Sequence, residues 1–253
     1  MRYFIRISFK GTAYSGWQIQ ENAPSVQATL ERAISLYVNE PVEVCGAGRT
    51  DAGVHALNYI AHFDSHHLDI LGKHIDYAYK LNAILPSDIC VHAITAVPSE
   101  AHARFDALSR SYKYYIHLSK NPFVQEFSTY CPFDLNIDDM NRAAALLLGT
   151  YDFTAFSKLH GGNKTSVCTV THATFTRKTT NHFDGIVFYI TANRFLRNMV
   201  RAIVGTLIDV GRGKIAPQEV ASILEKKERN GAGSSVSAQG LFLYQIDYPY
   251  PVL

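Results

Sequence analysis

The 253-residue sequence has few cysteines, a single tryptophan and no long apolar run. The four cysteines stand singly, so they provide neither the C-x-x-C pairs of zinc and redox motifs nor the dense disulfide framework of small secreted domains. No run approaches the roughly 18 apolar residues that a membrane span needs, and the N-terminus opens on a strand pattern instead of a signal peptide. We therefore expect a cytoplasmic globular protein with reduced cysteines and no membrane partner.

An excess of charge of one sign is also absent. The formal net charge is +2 and hydrophobic residues make up 47% of the chain, which excludes a disordered polycation. The charges are unevenly distributed: residues 1–100 hold 7 Lys and Arg against 10 Asp and Glu, whereas residues 101–253 hold 17 against 12. An anionic partner is therefore expected to favour the second part of the chain.

The first hundred residues show the alternating and helical periods of a βαββαβ unit. Period-two apolar residues predict strands, and helical spacing with N-cap Ser25 predicts the first helix. In chain order the predicted elements are strand 3–9, helix 24–38, strands 42–46 and 56–63, helix 70–85 and strand 89–97.

The remaining residues repeat this order without repeating the letters. The predicted elements are strand 111–118, helix 137–149, strands 168–177 and 185–192, helices 194–211 and 217–229, and strand 240–248. Residues 149–169 lack a clear period and are predicted to form a long mobile connection or a lid. The fold class is thus α+β: two ferredoxin-like halves, 1–104 and 105–253, with antiparallel sheets.

The segment "CGAGRTDAGVHA" (45–56) places Arg49 and Asp51 together in a glycine-rich loop between two strands. Asp51 stands where a dinucleotide-binding fingerprint needs glycine, and the Lys-Ser/Thr pair of a phosphate-binding P-loop is missing. Glycines would let the backbone turn tightly and approach a ligand closely. A surface salt bridge on a hairpin remains the alternative to a functional site.

Basic residues recur at two further places in the second part of the chain. Arg194, Arg197 and Arg201 are three and four residues apart, so the predicted helix 194–211 would carry them on one stripe. They would face either an anion or only solvent. In "ARFDALSRSYKYYI" (103–116), arginines alternate with tyrosines, a mixture that suits phosphates and stacked bases but is also common in ordinary strands.

Several segments resemble the signature motifs of the tRNA pseudouridine synthase A family. They are "GTAYSGWQIQ" (11–20), "GRTDAGVHA" (48–56), "NAILPSDI" (82–89), "HARFDALSRSYKYYI" (102–116), "FLRNMVRAIVGTLIDVGRGK" (195–214) and "GLFLYQIDYP" (240–249). The resemblance runs from end to end. It implies a homodimeric enzyme that uses no cofactor and isomerises uridine to pseudouridine at positions 38 to 40 of the tRNA anticodon stem-loop.

The resemblance also implies roles for individual residues. Asp51 would be the catalytic aspartate, Arg49 the loop arginine that helps displace the target base, Tyr112 the active-site tyrosine beside the uracil, and Arg201 the basic partner of Asp51. Arg104, Arg110, Arg194 and Arg197 are expected to bind substrate in a cleft between the halves.

Three departures from the family pattern concern RNA contacts or packing. Lys10 stands where the family usually has Asp, Ala202 follows Arg201 where Asn is more usual, and "SSVSAQGLFL" lacks a proline that often precedes the final strand. They bear on substrate detail more than on activity.

Three other classes compete with this interpretation. A non-catalytic RNA-binding protein would keep the fold without turnover, and a small-molecule nucleotide enzyme would use the glycine loop for phosphates. A metal enzyme is disfavoured because His62, His66 and His67 lack a fitting set of further ligands. We therefore predict no metal.

Overall fold

A computed structural model describes the protein over residues 1–68, 76–158, 165–180 and 182–252. The protein is of mixed α and β structure with mostly antiparallel strands and few helices, which confirms the predicted class at that level. The chain forms two compact units: Met1–Leu108 together with the residues from Leu243 onward, and Ser109–Phe242. The domain boundary near residue 105 stays a prediction, but the C-terminal residues pack with the first unit.

The first unit has a central strand flanked by antiparallel neighbours. Its elements are β1 (Arg2–Phe9), α1 (Val26–Val38), β2 (Val44–Gly46), β3 (His55–Asp64), α2 (Tyr77–Ile84), β4 (Ile89–Val97) and, from the C-terminal end, most of β10 (Leu241–Asp247). Strand β1 lies between β3 and β4, with Ile5 opposite Ala61 on one side and Ile94 on the other. The alternation that predicts β1 is confirmed from Ile5 to Phe9, because Ile5, Ile7 and Phe9 are buried and the residues between them are only partly buried.

Side-chain caps define where the helices of the first unit begin. The Ser25 hydroxyl accepts the Ala28 backbone N–H at 3.2 Å, as predicted for α1. The Asp76 carboxylate accepts the Tyr79 N–H at 3.0 Å and begins α2. Residues 70–75 of the predicted second helix lie outside the described residues.

The second unit is built around β9. Its elements are β5 (Ser109–His117), β6 (Thr129–Tyr130), α3 (Ile137–Ala145), β7 (Gly149–Asp152), β8 (Val167–Thr179), β9 (Asp184–Ala192), α4 (Met199–Gly211) and α5 (Glu219–Lys226). Strand β9 pairs antiparallel with β5 and β8, β7 pairs with β8, and β6 runs parallel to β5. Helix α3 packs against α4 and β8.

Two predictions for the second unit are wrong. The sequence predicts an irregular connection over residues 149–169, but β7 and a 3₁₀ turn at Thr154–Phe156 occupy its first part. Residues 159–164 lie outside the described residues. The predicted helix 194–211 begins only at Met199, because Asn198 adopts a left-handed conformation (φ 67°) and its side-chain amide donates to Ser235 Oγ at 2.6 Å.

Among the described residues, no helix combines the length and the apolar character needed to cross a membrane.

Candidate active site

Residues 47–54 form the turn that carries Arg49 and Asp51, here called the Asp51 loop. It joins β2 to β3, which pair antiparallel, as the sequence predicts. The Ala47 N–H donates to the Ile60 carbonyl at 2.9 Å, and the Val54 N–H donates to the Asp51 carbonyl at 3.2 Å. Arg49 is exposed and Asp51 is half-buried, so the loop presents both side chains at its surface.

The segment before α1 supports the Asp51 loop through its backbone. The Gly53 N–H donates to the Tyr14 carbonyl at 3.3 Å, and the Trp17 N–H donates to the Thr50 carbonyl at 3.4 Å. Gly16 has φ +101°, and a Cβ there would collide with the Thr50 carbonyl oxygen. Glycine is therefore required at position 16 by both conformation and space.

Buried aromatic rings support the other side of the same loop. The Tyr59 hydroxyl donates to the Gly48 carbonyl and accepts the Gly48 N–H at 3.4 Å. The indole of Trp17 stacks on the Tyr59 ring with centroids 4.1 Å apart. A Cβ at Gly46 would collide with the Tyr59 hydroxyl and with the Trp17 indole. The backbone next to Arg49 is thus held from within the core.

A further tyrosine connects this support to the segment before β4. The Tyr14 hydroxyl donates to Asp88 Oδ1 at 2.7 Å. Burial, and then this hydrogen bond, raise the pKa of Tyr14, so the phenol stays a donor throughout the physiological range. Two of the segments that resemble the family motifs, 11–20 and 82–89, are therefore joined by a side-chain hydrogen bond.

Tyr112 lies on β5 in the second unit, opposite Ile190 of β9. Its ring is partly exposed and meets the ring of Phe195 edge-on, with centroids 5.1 Å apart. On the same strand, Arg110 Nη1 donates to the Asn193 carbonyl at 3.0 Å. The structure thus brings Tyr112 and Arg110 together with the segment that precedes α4.

The predicted arginine stripe does not exist. Arg194 and Arg197 lie before the first residue of α4, and only Arg201 is on the helix. Arg201 Nε donates to the Val236 carbonyl at 2.7 Å, and the Val236 N–H donates back to the Arg201 carbonyl at 3.2 Å. Arg201 therefore joins α4 to the chain around residue 236.

The predicted site residues are divided between the two units. Asp51, Arg49 and Arg104 belong to the first unit, and the remaining predicted residues belong to the second. The pairing of Asp51 with Arg201 stays a prediction. Arg104 is exposed, and its backbone N–H donates to His102 Nδ1 at 3.1 Å.

One cluster of potential metal ligands in the first unit was missed by the sequence reasoning. Ligand atoms of Cys45, His62 and His102 lie within 4.8 Å of one another. However, Nδ1 of both histidines accepts backbone N–H groups, those of Ala103 and Arg104 at 3.1 Å each. A neutral ring with Nδ1 as acceptor carries its proton on Nε2, so a metal at Nε2 would displace that proton. The geometry favours neutral, hydrogen-bonded histidines.

Burial sets the protonation of this cluster. It lowers the pKa of His62 to about 4 and lowers that of His102, and it raises the pKa of the Cys45 thiol. Near neutral pH all three groups are therefore uncharged. Cys45 Sγ lies 3.9 Å from His102 Nε2, in line with a thiol beside an N–H donor.

Comparison with known proteins agrees with the sequence motifs. The family model described as tRNA pseudouridine synthase matches residues 5–106 and 143–249. The chain is 48% identical over 248 residues to the tRNA pseudouridine synthase A of Bacteroides thetaiotaomicron, covering 98% of this chain and 91% of that protein. It is 48% identical to the protein of that name from Porphyromonas gingivalis, with coverages of 98% and 97%. The one from Vibrio cholerae is 39% identical, with coverages of 98% and 92%. The resemblance is confirmed, and the chain belongs to the tRNA pseudouridine synthase family.

Proposed function

We propose that this protein isomerises uridine to pseudouridine in tRNA, at positions 38 to 40 of the anticodon stem-loop, with Asp51 as the catalytic residue. The observation that carries the proposal is the Asp51 loop: a half-buried carboxylate on a turn that Gly16, Trp17 and Tyr59 support from two sides. A carboxylate held in this way is pre-organised for attack or for proton abstraction. The family assignment supplies the substrate class.

The reaction needs no redox change. The C1′–N1 bond breaks, the uracil rotates, C5 bonds to C1′, and the C5 proton is lost while N1 gains a proton. Asp51 either forms a covalent adduct or removes a sugar proton to give a glycal intermediate. Both routes use the ionised carboxylate.

The other predicted residues support the substrate around that step. Reaching Asp51 requires the target base to leave its stack, which costs roughly a few kcal/mol. Arg49, exposed on the same loop, is suited to fill the vacated gap. Tyr112 is partly exposed, so its ring can stack on the flipped uracil and its hydroxyl can accept or relay the C5 proton.

The proposal extends to the arrangement of the whole enzyme. Two ferredoxin-like halves would form the cleft, with Arg201 as the partner of Asp51, and Arg104, Arg110, Arg194 and Arg197 would contact phosphates. The enzyme would act in the cytoplasm as a homodimer. Binding through phosphates predicts an affinity that falls steeply with salt.

Tritium release from tRNA that carries 5-tritiated uridine tests the function. We expect release by the wild-type chain and none by Asp51→Asn, which keeps the size of the side chain and removes its charge. Anticodon stem-loops with uridine at only one of positions 38, 39 and 40 test the site. Release by Asp51→Asn at the wild-type rate would refute the role of Asp51, and a wild-type chain that binds tRNA without releasing tritium would be a non-catalytic RNA-binding protein.

A further inference from the structure

The turn His102–Asp106 in the first unit is closed by side chains at both ends. His102 Nδ1 accepts the backbone N–H groups of Arg104 at 3.1 Å and Phe105 at 3.3 Å. Asp106 Oδ2 in turn accepts the His102 N–H at 2.7 Å. This reciprocal capping resembles the capping box of helix N-termini. It fixes the backbone that carries Arg104 and Phe105.

Three hydrogen bonds, one to β3 and two from the C-terminal segment, anchor the same turn to the body of the unit. The Ala103 N–H donates to His62 Nδ1 of β3 at 3.1 Å. From the C-terminal segment, the Tyr248 hydroxyl donates to the Ala103 carbonyl at 2.5 Å and the Tyr250 hydroxyl donates to Asp106 Oδ2 at 2.6 Å. The turn is therefore a rigid projection and not a loose loop.

The tip of this projection combines an open aromatic ring with a positive charge. The Phe105 side chain is 74% exposed. Its ring lies against the imidazole of His102, with centroids 4.2 Å apart and planes 34° apart. The exposed Arg104 guanidinium lies 5.7 Å from the Phe105 centroid.

Folding alone gives little reason for this arrangement. Single exposed apolar residues are normal on protein surfaces. Phe105, however, is held on a turn fixed by hydrogen bonds to buried and partly buried side chains. Its ring lies against the imidazole of His102, and the Arg104 guanidinium lies over the ring. An aromatic ring next to an arginine is the combination that binds an unpaired base and its phosphate.

We propose that Phe105 stacks on an unpaired base of the bound tRNA, that Arg104 contacts a neighbouring phosphate, and that His102 is the positioning residue for both. This rests on the proposed function, because tRNA is taken as the bound RNA. The unpaired bases of a tRNA loop are the partner that the exposed ring of Phe105 and the charge of Arg104 fit.

The test measures the dissociation constant of the full-length chain for unmodified tRNA. Phe105→Leu keeps an apolar side chain of similar size and removes the ring, and Phe105→Trp keeps an aromatic face. We expect Phe105→Leu to weaken binding about tenfold, within the range of one lost base–aromatic stack, and Phe105→Trp to bind like the wild type. Wild-type affinity of Phe105→Leu, or an equal loss in both variants, would overturn the stacking role.

Two substitutions at His102 test its positioning role. Asparagine places Oδ1 near the position of Nδ1 and so retains an acceptor for the backbone N–H groups, whereas glutamine places its oxygen near Nε2. We expect His102→Gln to weaken tRNA binding and His102→Asn to retain most of the wild-type affinity. Equal affinities for wild type and His102→Gln would contradict the role, as would equal losses in the two variants.

The tritium assay separates this proposal from the proposed function. If the wild-type chain releases no tritium but Phe105→Leu still weakens tRNA binding, the RNA contact stands and the isomerase assignment fails. If the wild-type chain releases tritium and Phe105→Leu binds tRNA with unchanged affinity, the isomerase stands and the Phe105 contact is refuted.

Discussion

The lowered pKa of His62 is expected to make the first unit less stable as pH falls below 6.5, a range that begins well above the pH at which carboxylates titrate. His62 is only 6% exposed, and its Nδ1 accepts the Ala103 N–H at 3.1 Å. Burial, and then the neighbouring His102 and Arg2, lower its pKa from 6.5 to about 4. Protonation of Nδ1 would break that hydrogen bond and place a charge in the core, so the folded state resists it.

The sign and size of the effect follow from the two pKa values. As pH falls through 6.5 the unfolded chain takes up a proton, while the folded chain stays neutral until about pH 4. Stability is therefore present above pH 6.5 and is lost as pH falls toward 4. Each unit of pKa difference corresponds to about 1.4 kcal/mol, which gives a total of about 3 kcal/mol. About 2 kcal/mol of this is lost between pH 7 and pH 5.

Neighbouring carboxylates do not obscure this window. Asp64 and Asp106 oppose the shift of His62 but are outweighed by burial. The pKa values of both carboxyl groups are themselves lowered, mainly by hydrogen bonds from Arg2 and Tyr250 respectively. Their contributions are present above the ordinary pKa of 3.8 and are lost only below it. Most of the unfolding free energy that His62 contributes is already lost at higher pH, before these carboxyl groups begin to be protonated.

Thermal unfolding at pH 7 and pH 5 measures the effect. A loss of about 2 kcal/mol lowers the melting temperature of a chain of this size by roughly 6 °C. His62→Asn keeps an acceptor near the position of Nδ1 and cannot be protonated. Its melting temperature should therefore fall less than that of the wild type between pH 7 and pH 5, by roughly 6 °C. His62→Gln, by contrast, should already be less stable than the wild type at pH 7, because the Ala103 N–H loses its acceptor. An identical pH dependence in wild type and His62→Asn would refute the reasoning.

Two further substitutions test the support of the Asp51 loop. Tyr59→Phe leaves the Gly48 carbonyl without its donor, so it should cost about 1–3 kcal/mol in unfolding free energy and slow tritium release. Wild-type stability together with a wild-type release rate would show that the hydroxyl does not hold the loop. Gly16→Ala should lower the melting temperature far more than Gly213→Ala: both positions have positive φ, but only the first would collide with a backbone carbonyl. Similar losses in the two alanine variants would show that conformational strain alone matters.

The wrong start of α4 shows where periodicity fails. Leu196, Val200 and Ile203 have helical spacing and all three are buried, so the sequence pattern could not reveal a break between them. The break comes from contacts distant in sequence: Asn198 bonds to Ser235, and Phe195 packs on Tyr112 of β5. Tertiary contacts outweighed local helix preference over residues 194–198. Arg194 and Arg197 are therefore not on the helix, and the predicted arginine stripe does not form.

Other features were beyond sequence reasoning for a similar reason. Strand β7 has the sequence GTYD, which shows no alternation of apolar and polar residues, and none of its four residues is buried. The cluster of Cys45, His62 and His102 is scattered over 58 positions of the chain and is assembled by the pairing of β2 with β3 and by the turn after β4. The Asp51 loop was predictable, because its glycines and flanking strands are local.

The Trp17 side chain gives the protein a built-in spectroscopic reporter. It is the single tryptophan of the chain, is 3% exposed, stacks on Tyr59 and donates its backbone N–H to the Asp51 loop. The intrinsic indole emission of the whole protein therefore arises from one place, a residue whose backbone N–H donates to the Thr50 carbonyl of the Asp51 loop. Any rearrangement of that loop during tRNA binding would register in the emission maximum or lifetime without a label.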